Sequence, residues 1–180
     1  MGSVALLGMN QGWLPPAEYY ATLPALIGSG GVLCRDAHGR VLLVETNYQT
    51  DDVYEIPGGA LNRGESPRAC ARREAEEELG ITLRIGRLLV EDWAPPRPDG
   101  RPPLANHVFD GGVLSSEQIA TVRPADREVK SLRFCTPVEA TDLLRPPLAR
   151  RLRYCIEAQR TGTAFYLEDG FDPLAADGHC

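Results

Sequence analysis

Five glutamates crowd one short stretch of this chain, Glu65, Glu74, Glu76, Glu77 and Glu78, with Arg73 among them. Ser66 followed by Pro67 is a helix start, because the serine hydroxyl caps free amides and proline is preset for the first helical position. Gly80 is the left-handed residue expected just past a helix end, so the pattern predicts a helix over 67–79. Glu77 and Glu78 then follow Glu74 by three and four residues, and the three carboxylates share one side of the helix, where like charges repel. Glu76, Glu77 and Glu78 also occupy the last turn, where the helix dipole is negative and each acid costs about 0.3–1 kcal/mol. A divalent cation reverses the sign of both penalties. The cluster therefore reads as a magnesium site suited to cutting a phosphoanhydride, against the plainer reading of a solvated acidic helix.

A diphosphate linkage resists water because its oxygens repel the nucleophile. Cations neutralise those oxygens and lower the pKa of a bound water, and a nearby glutamate receives the proton. The run from Gly59 to Ile81 matches the Nudix box, G-x5-E-x7-R-E-U-x-E-E-x-G-U with U aliphatic, at Gly59, Glu65, Arg73, Glu74, Ala75, Glu77, Glu78, Gly80 and Ile81. The preceding Y-E-I-P-G-G, Tyr54 to Gly59, resembles the W-E-L-P-G-G lead-in of that family with tyrosine for tryptophan, and Ala75 is a small choice for its aliphatic position. The box covers 23 residues, and the order of apolar runs from Ser29 to about Thr161 is compatible with a Nudix domain.

The resemblance implies that Glu77 and Glu78 are metal ligands, that Glu74 is a ligand or the general base, and that the Gly58 carbonyl joins the metal shell. It also implies that Arg73 pairs with Glu65 and holds Glu74 in position. Taken alone, Arg73 would be a surface arginine, Glu65 a loop charge, and Gly58 with Gly59 a turn. The implied cofactor is Mg2+, with Mn2+ as an alternative. The implied reaction is hydrolysis of a nucleoside diphosphate linked to another moiety, of the ADP-ribose or nucleotide-sugar type, or of a nucleoside triphosphate. In this family the base also lies outside the box on a later loop, and Glu128 in R-P-A-D-R-E-V is the candidate here, beside its reading as a solvated loop carboxylate. In the ADP-ribose-cleaving branch a proline marks the position fifteen residues beyond the box, where Pro96 falls among Pro95, Pro98, Pro102 and Pro103.

That proline-rich segment, 94–103, cannot be regular structure and reads as an exposed loop. Its Arg97 and Arg101 are candidate phosphate contacts or solvated loop charges. His107 and Trp93 are candidate substrate contacts whose plainer roles are packing and a buried rim.

Composition bounds the rest. At 180 residues and 43% hydrophobic content the chain suits one domain with a core, and a formal charge of −6 argues against a nucleic-acid polymer as partner while leaving a small nucleotide substrate open. Cysteines at 34, 70, 135, 155 and 180 show no metal-ligand spacing, and an odd number suits reduced thiols in a cytoplasm. Cys70 reads as a small packing residue of the box helix. No run reaches membrane-spanning length and the first residues lack a basic signal start.

The elements that position these residues follow from pattern. Residues 28–35 and 41–46 read as a hairpin joined by D-A-H-G, the box helix follows, and strands are expected over 83–93, 107–114 and 129–135. Helices are expected over 137–144 and about 147–160. The class is α/β, and the resemblance makes it an α/β/α sandwich with a mixed curved sheet. The division is an arm (1–27), the domain (28–161) and a tail (162–180). The arm carries Trp13, Tyr19, Tyr20, Leu23 and Leu26 outside the expected core, which suggests a homodimer or an arm folded back on its own domain. Two other functions remain, an isoprenoid-diphosphate isomerase and a non-catalytic nucleotide-binding module. The complete box argues against both.

Overall fold

Side chains on neighbouring positions of a strand point to opposite faces, and here each face meets its own core. On β1 (Ile27–Arg35) and β2 (Val41–Thr46), Leu33, Val41 and Leu43 enter one core while Val32, Cys34, Leu42 and Val44 enter the other. All six residues of β2 are buried, as a strand covered on both sides must be. The computed structural model describes residues 14–47, 53–125 and 127–176. The other elements are α1 (Pro16–Ala21), β3 (Val53–Glu55), β4 (Gly58–Ala60), α2 (Pro67–Leu79), β5 (Leu88–Ala94), β6 (Leu104–Val113), α3 (Ser116–Thr121), β7 (Val129–Cys135), α4 (Pro137–Leu143), α5 (Pro146–Thr161), β8 (Phe165–Glu168) and α6 (Pro173–Ala176).

The described strands form one eight-stranded mixed sheet in the order β3-β2-β1-β6-β5-β8, with β4 also pairing with β1 and β7 with β2. β1 with β6 and β5 with β8 are parallel, and the remaining pairs are antiparallel. Helix α2 covers one face through Ala71, Ala75 and Leu79, while α4 and α5 cover the other through Ala140, Leu152, Cys155 and Ala158. The α/β/α layering agrees with the expected class.

Local differences have physical causes. The expected hairpin is joined at a single register pair, Arg35 with Val41, because β1 then turns to β4 and β6 while β2 turns to β3 and β7. The strand expected from residue 83 starts at Leu88. Ile81, Leu83 and Ile85 alternate and are buried on the α2 side, but alternation reports burial and not ladder pairing; the Ile85 carbonyl accepts from the Arg68 guanidinium. Ser115 and Gln118 form a capping box that starts α3, an element absent from the sequence reading. The segment after α5 adds β8 to the sheet edge beside β5.

Helix α1 has no buried residue, and Leu14, Tyr19, Tyr20, Leu23 and Leu26 are exposed. Trp13 lies outside the described residues. Among the described residues, no helix is long and apolar enough to cross a membrane.

Candidate active site

Helix α2 begins and ends where capping chemistry places it. Ser66 Oγ accepts from the Ala69 amide at 3.3 Å, and Gly80, at φ +68°, donates its amide to the Glu76 carbonyl. Its packing is close. A Cβ on Gly30 of β1 would lie 2.2 Å from the Pro67 carbonyl oxygen and 2.9 Å from the Ala71 amide nitrogen, so only glycine lets the helix backbone approach the strand this far. Ala75 is fully buried against the same sheet, which explains the small residue at that box position.

Arg73 is the hub of the box. Its Nε and Nη2 bind the two oxygens of Glu65 at 3.0 and 2.9 Å, while Nη1 binds Glu74 Oε1 and Glu77 Oε2, each at 2.7 Å. Nη2 also donates to the Ala60 carbonyl at 3.1 Å. The planar fork reaches several acceptors at once, which an ammonium group does not. These bonds, from Glu65 first, tighten the guanidinium's hold on its proton. Arg73's hydrogen bond in turn keeps the Glu65 carboxyl below its usual range. Glu74 shifts the opposite way: burial raises its pKa, and the bond from Arg73 offsets only part of that.

Strand β4 lies beneath the carboxylates. The Gly58 amide donates to Glu78 Oε2 at 2.8 Å, and the Glu74 carboxylate sits over Gly59 where a Cβ would meet Oε1 at 2.2 Å. Glu74, Glu77, Glu78 and the Gly58 carbonyl are a hard oxygen donor set of the kind that Mg2+ takes. Because Gly59 carries no side chain, the Glu74 carboxylate reaches the backbone of β4 itself. Among the described residues no three acidic, histidine or cysteine side chains converge on a cation-sized point, since Arg73 engages Glu74 and Glu77 and a backbone amide engages Glu78. Of the carboxylates that Arg73 binds, Glu77 is the most open to solvent, its side chain 46% exposed.

A cavity of about 400 Å³ opens beside this strand. Gly58, Gly59 and Glu55 line it on the box side, and Arg97, Arg101 and Arg151 line it elsewhere. The sheet supplies its floor through Ser29, Gly31, Asn106 and His107.

The NUDIX domain family model matches residues 27–159. The chain belongs to the Nudix family. It is similar to an RNA pyrophosphohydrolase of Roseobacter denitrificans, 31% identical over 67 residues, which are 36% of this chain and 42% of that protein. It is also similar to the phosphatase NudJ of Escherichia coli K12, 27% identical over 128 residues, 69% of this chain and 80% of the relative. The match thus spans less than half of the first of these relatives and most of the second. Among solved structures, the NUDIX domain of Shewanella oneidensis NrtR, crystallised with ADP ribose, superposes with a TM-score of 0.63 at 15% identity, covering 81% of this chain and 99% of that one. That likeness is one of fold.

Within this Nudix domain the structure brings Glu65, Arg73, Glu74 and Glu77 into one network and sets Glu78 on Gly58. It places Arg97 and Arg101 on the cavity wall. Glu128 sits in the exposed turn before β7, outside the cavity lining, with its carbonyl accepting from the Asn47 amide at 2.9 Å. His107 lines the cavity, its Nδ1 3.0 Å from the Ser29 carbonyl oxygen, whereas Trp93 is exposed and outside the lining. The sequence reading missed Asp92 and Arg151. Asp92 is fully buried, binds Arg151 at 2.7 Å and takes the Gly170 amide at 2.9 Å, so it ties α5 and the turn after β8 to the cavity wall. These partners are 59 and 78 residues from Asp92, and no local pattern announces such a pair.

Proposed function

We propose that this chain is a Mg2+-dependent hydrolase of the phosphoanhydride in a nucleoside diphosphate linked to a further moiety, or in a nucleoside triphosphate. The observation that carries the reading is the Arg73 network, which fixes the Glu74 carboxylate over Gly59 beside a cavity large enough for a small nucleotide. Glu74, Glu77, Glu78 and the Gly58 carbonyl would hold the ion, which supplies charge neutralisation at the phosphoryl oxygens and a more acidic water. Glu74, whose burial raises its proton affinity, is suited to receive the proton from that water. Arg73 keeps Glu74 oriented, and Glu65 keeps Arg73 oriented. Glu128 is the alternative base, and Glu128→Gln decides between them: turnover retained keeps the proton with Glu74, and turnover lost by roughly 10²-fold or more moves the base to Glu128.

Arg97 and Arg101 are assigned to the substrate because both line the cavity. The experiment is a panel of ADP-ribose, nucleotide sugars, dinucleotides, coenzymes and nucleoside triphosphates with Mg2+ or Mn2+, scored for phosphate-bearing products. An RNA with a 5′-terminal anhydride joins the panel because one relative is called an RNA pyrophosphohydrolase. Cleavage of no member with either metal overturns the assignment.

Two further assignments go with this reading. The exposed apolar side chains of the arm support a homodimer formed through residues 14–26, and a monomeric mass in light scattering at micromolar concentration overturns it. Cys34, Cys70, Cys135 and Cys155 are buried free thiols, which supports a reducing, cytoplasmic setting.

A further inference from the structure

The cavity carries positive charge well away from the box. Its floor crosses the sheet in register, from Gly59 of β4 to Gly30 of β1 and from Gly30 to His107 of β6, and the register continues beyond the lining from His107 to Glu91 of β5. Neighbouring strands lie about 4.7–4.9 Å apart, so two to three spacings, roughly 10–14 Å, separate β4, the strand beneath the Glu74 carboxylate, from the β5–β6 connection. That connection is the loop 95–103, which carries Arg97 and Arg101. A single diphosphate held at Gly58 and Gly59 does not span this distance.

Arg101 is held there at a disadvantage. Its Nη2 donates to the Pro95 carbonyl at 2.7 Å, but Nε and Nη1 are shut off from solvent and have no hydrogen-bond partner. A guanidinium stays charged at any ordinary pH, and buried donors without acceptors are rare because they forgo the bonds that water would give. Burial, with Arg97 nearby, does weaken Arg101's hold on its proton. The carboxylates within electrostatic range, Asp99 and Asp169, do not bond the Arg101 guanidinium. Asp99 Oδ1 accepts the Arg101 backbone amide at 3.0 Å, and Asp169 Oδ2 pairs with Arg150 at 3.2 Å. Arg151, also on the wall, is neutralised by Asp92. The loop itself is pinned by a reciprocal turn, Arg97 amide to Arg101 carbonyl at 2.9 Å and Gly100 amide to Arg97 carbonyl at 3.1 Å, so Arg101 stays at the cavity rather than in bulk water.

We infer that Arg101, with Arg97, forms a subsite for a second anionic group, so that the substrate class is a nucleoside diphosphate linked to a further moiety whose nucleoside ribose carries a phosphate monoester besides the scissile anhydride. This rests on the hydrolase reading above and narrows it. Reaching that phosphate takes a rotation of the Arg101 side chain that brings Nε and Nη1 to the cavity face, where the phosphate oxygens supply the acceptors they lack, in the bidentate geometry that arginine offers.

The test compares substrates that differ by one remote phosphate: NADPH with NADH, and coenzyme A with its dephosphorylated form. For at least one pair, kcat/KM should favour the phosphorylated member by about tenfold or more, the size of one charge-assisted hydrogen bond, chiefly through KM. The ratio should fall towards one in Arg101→Ala and stay intermediate in Arg101→Lys. Ratios near one in the intact protein, with the unphosphorylated members cleaved, overturn the subsite and leave the hydrolase reading standing. A binding arm needs no turnover: inorganic phosphate, titrated into the metal-free full chain and followed by calorimetry, should bind, and Arg101→Ala should lose that binding. If no substrate is cleaved, phosphate binding lost in Arg101→Ala still supports the subsite, and absence of binding overturns it.

Discussion

The Glu74 carboxylate rests directly on the backbone of Gly59, with no room for a side chain between them. A Cβ on Gly59 would lie 2.2 Å from Oε1 and 2.6 Å from the carboxyl carbon. The obstacle is the end of a side chain, which can turn aside, so Gly59→Ala should fold and displace Glu74 rather than unfold the sheet. A displacement on the ångström scale costs about 10²-fold in turnover when the group acts at the reacting centre. Steady-state kinetics beside circular dichroism check this: native spectra with unchanged kcat would remove Glu74's position from the mechanism.

Glu78 accepts the Gly58 amide, and glutamine can accept the same bond through its side-chain oxygen. Glu78→Gln should therefore keep the local geometry and remove only charge. Turnover should fall by roughly 10²–10⁴, the scale of metal-assisted or acid–base catalysis. Excess chelator should abolish activity in the unaltered chain, and added Mg2+ should restore it. Full turnover in Glu78→Gln would contradict its assignment as a ligand.

Local chemistry made α2 legible. Ser66, Pro67 and Gly80 mark its ends through backbone capping, and the structure has the helix at Pro67–Leu79, the residues the sequence predicts. The Arg73–Glu65 contact was legible only through the resemblance, because Glu65 lies in the loop before the helix, where spacing says nothing about direction. Ile81 to Ile85 misled the strand assignment because a buried irregular segment alternates just as a strand does. The cavity wall was least legible. Asp92 and Arg151 meet only because α5 crosses β5, and long-range pairing of this kind leaves no trace in composition or period.

Gly30 carries a separate prediction, about stability. Its missing Cβ admits the Pro67 carbonyl and the Ala71 amide, and both obstacles are helix backbone that cannot swing away. Gly30→Ala should push α2 off β1 and destabilise the domain by about 1–3 kcal/mol, the usual range for overpacking a tight core. Denaturant titration reads this directly, and an unchanged midpoint would mean that α2 shifts without loss of packing.

The thiols give a test of burial that does not depend on catalysis. Burial pushes the Cys34 and Cys155 thiols up to about 12. At pH 8 such a group is thiolate roughly one part in 10⁴, and the thiolate is the reactive form. Iodoacetamide at pH 8 should leave both unmodified in the native chain and label both in denaturant, as read by peptide mass spectrometry. Native labelling at either position would show that its core opens readily.

Arg73→Lys separates charge from geometry. Lysine keeps the positive charge but offers one nitrogen, whereas Arg73 uses three to reach Glu65, Glu74, Glu77 and the Ala60 carbonyl. Glu65 and Glu74, with side chains 14% and 13% exposed, would keep a neutralising neighbour without being held in register. The expected result is a kcat lower by about 10–10² with a smaller change in KM, since orientation and not substrate affinity is lost. Glu65→Gln should fall less, because Arg73 Nη1 still grips Glu74 and Glu77 and the glutamine oxygen still accepts one bond. If Arg73→Lys turned over like the unaltered chain, the fork geometry would be irrelevant and charge alone would explain the arginine.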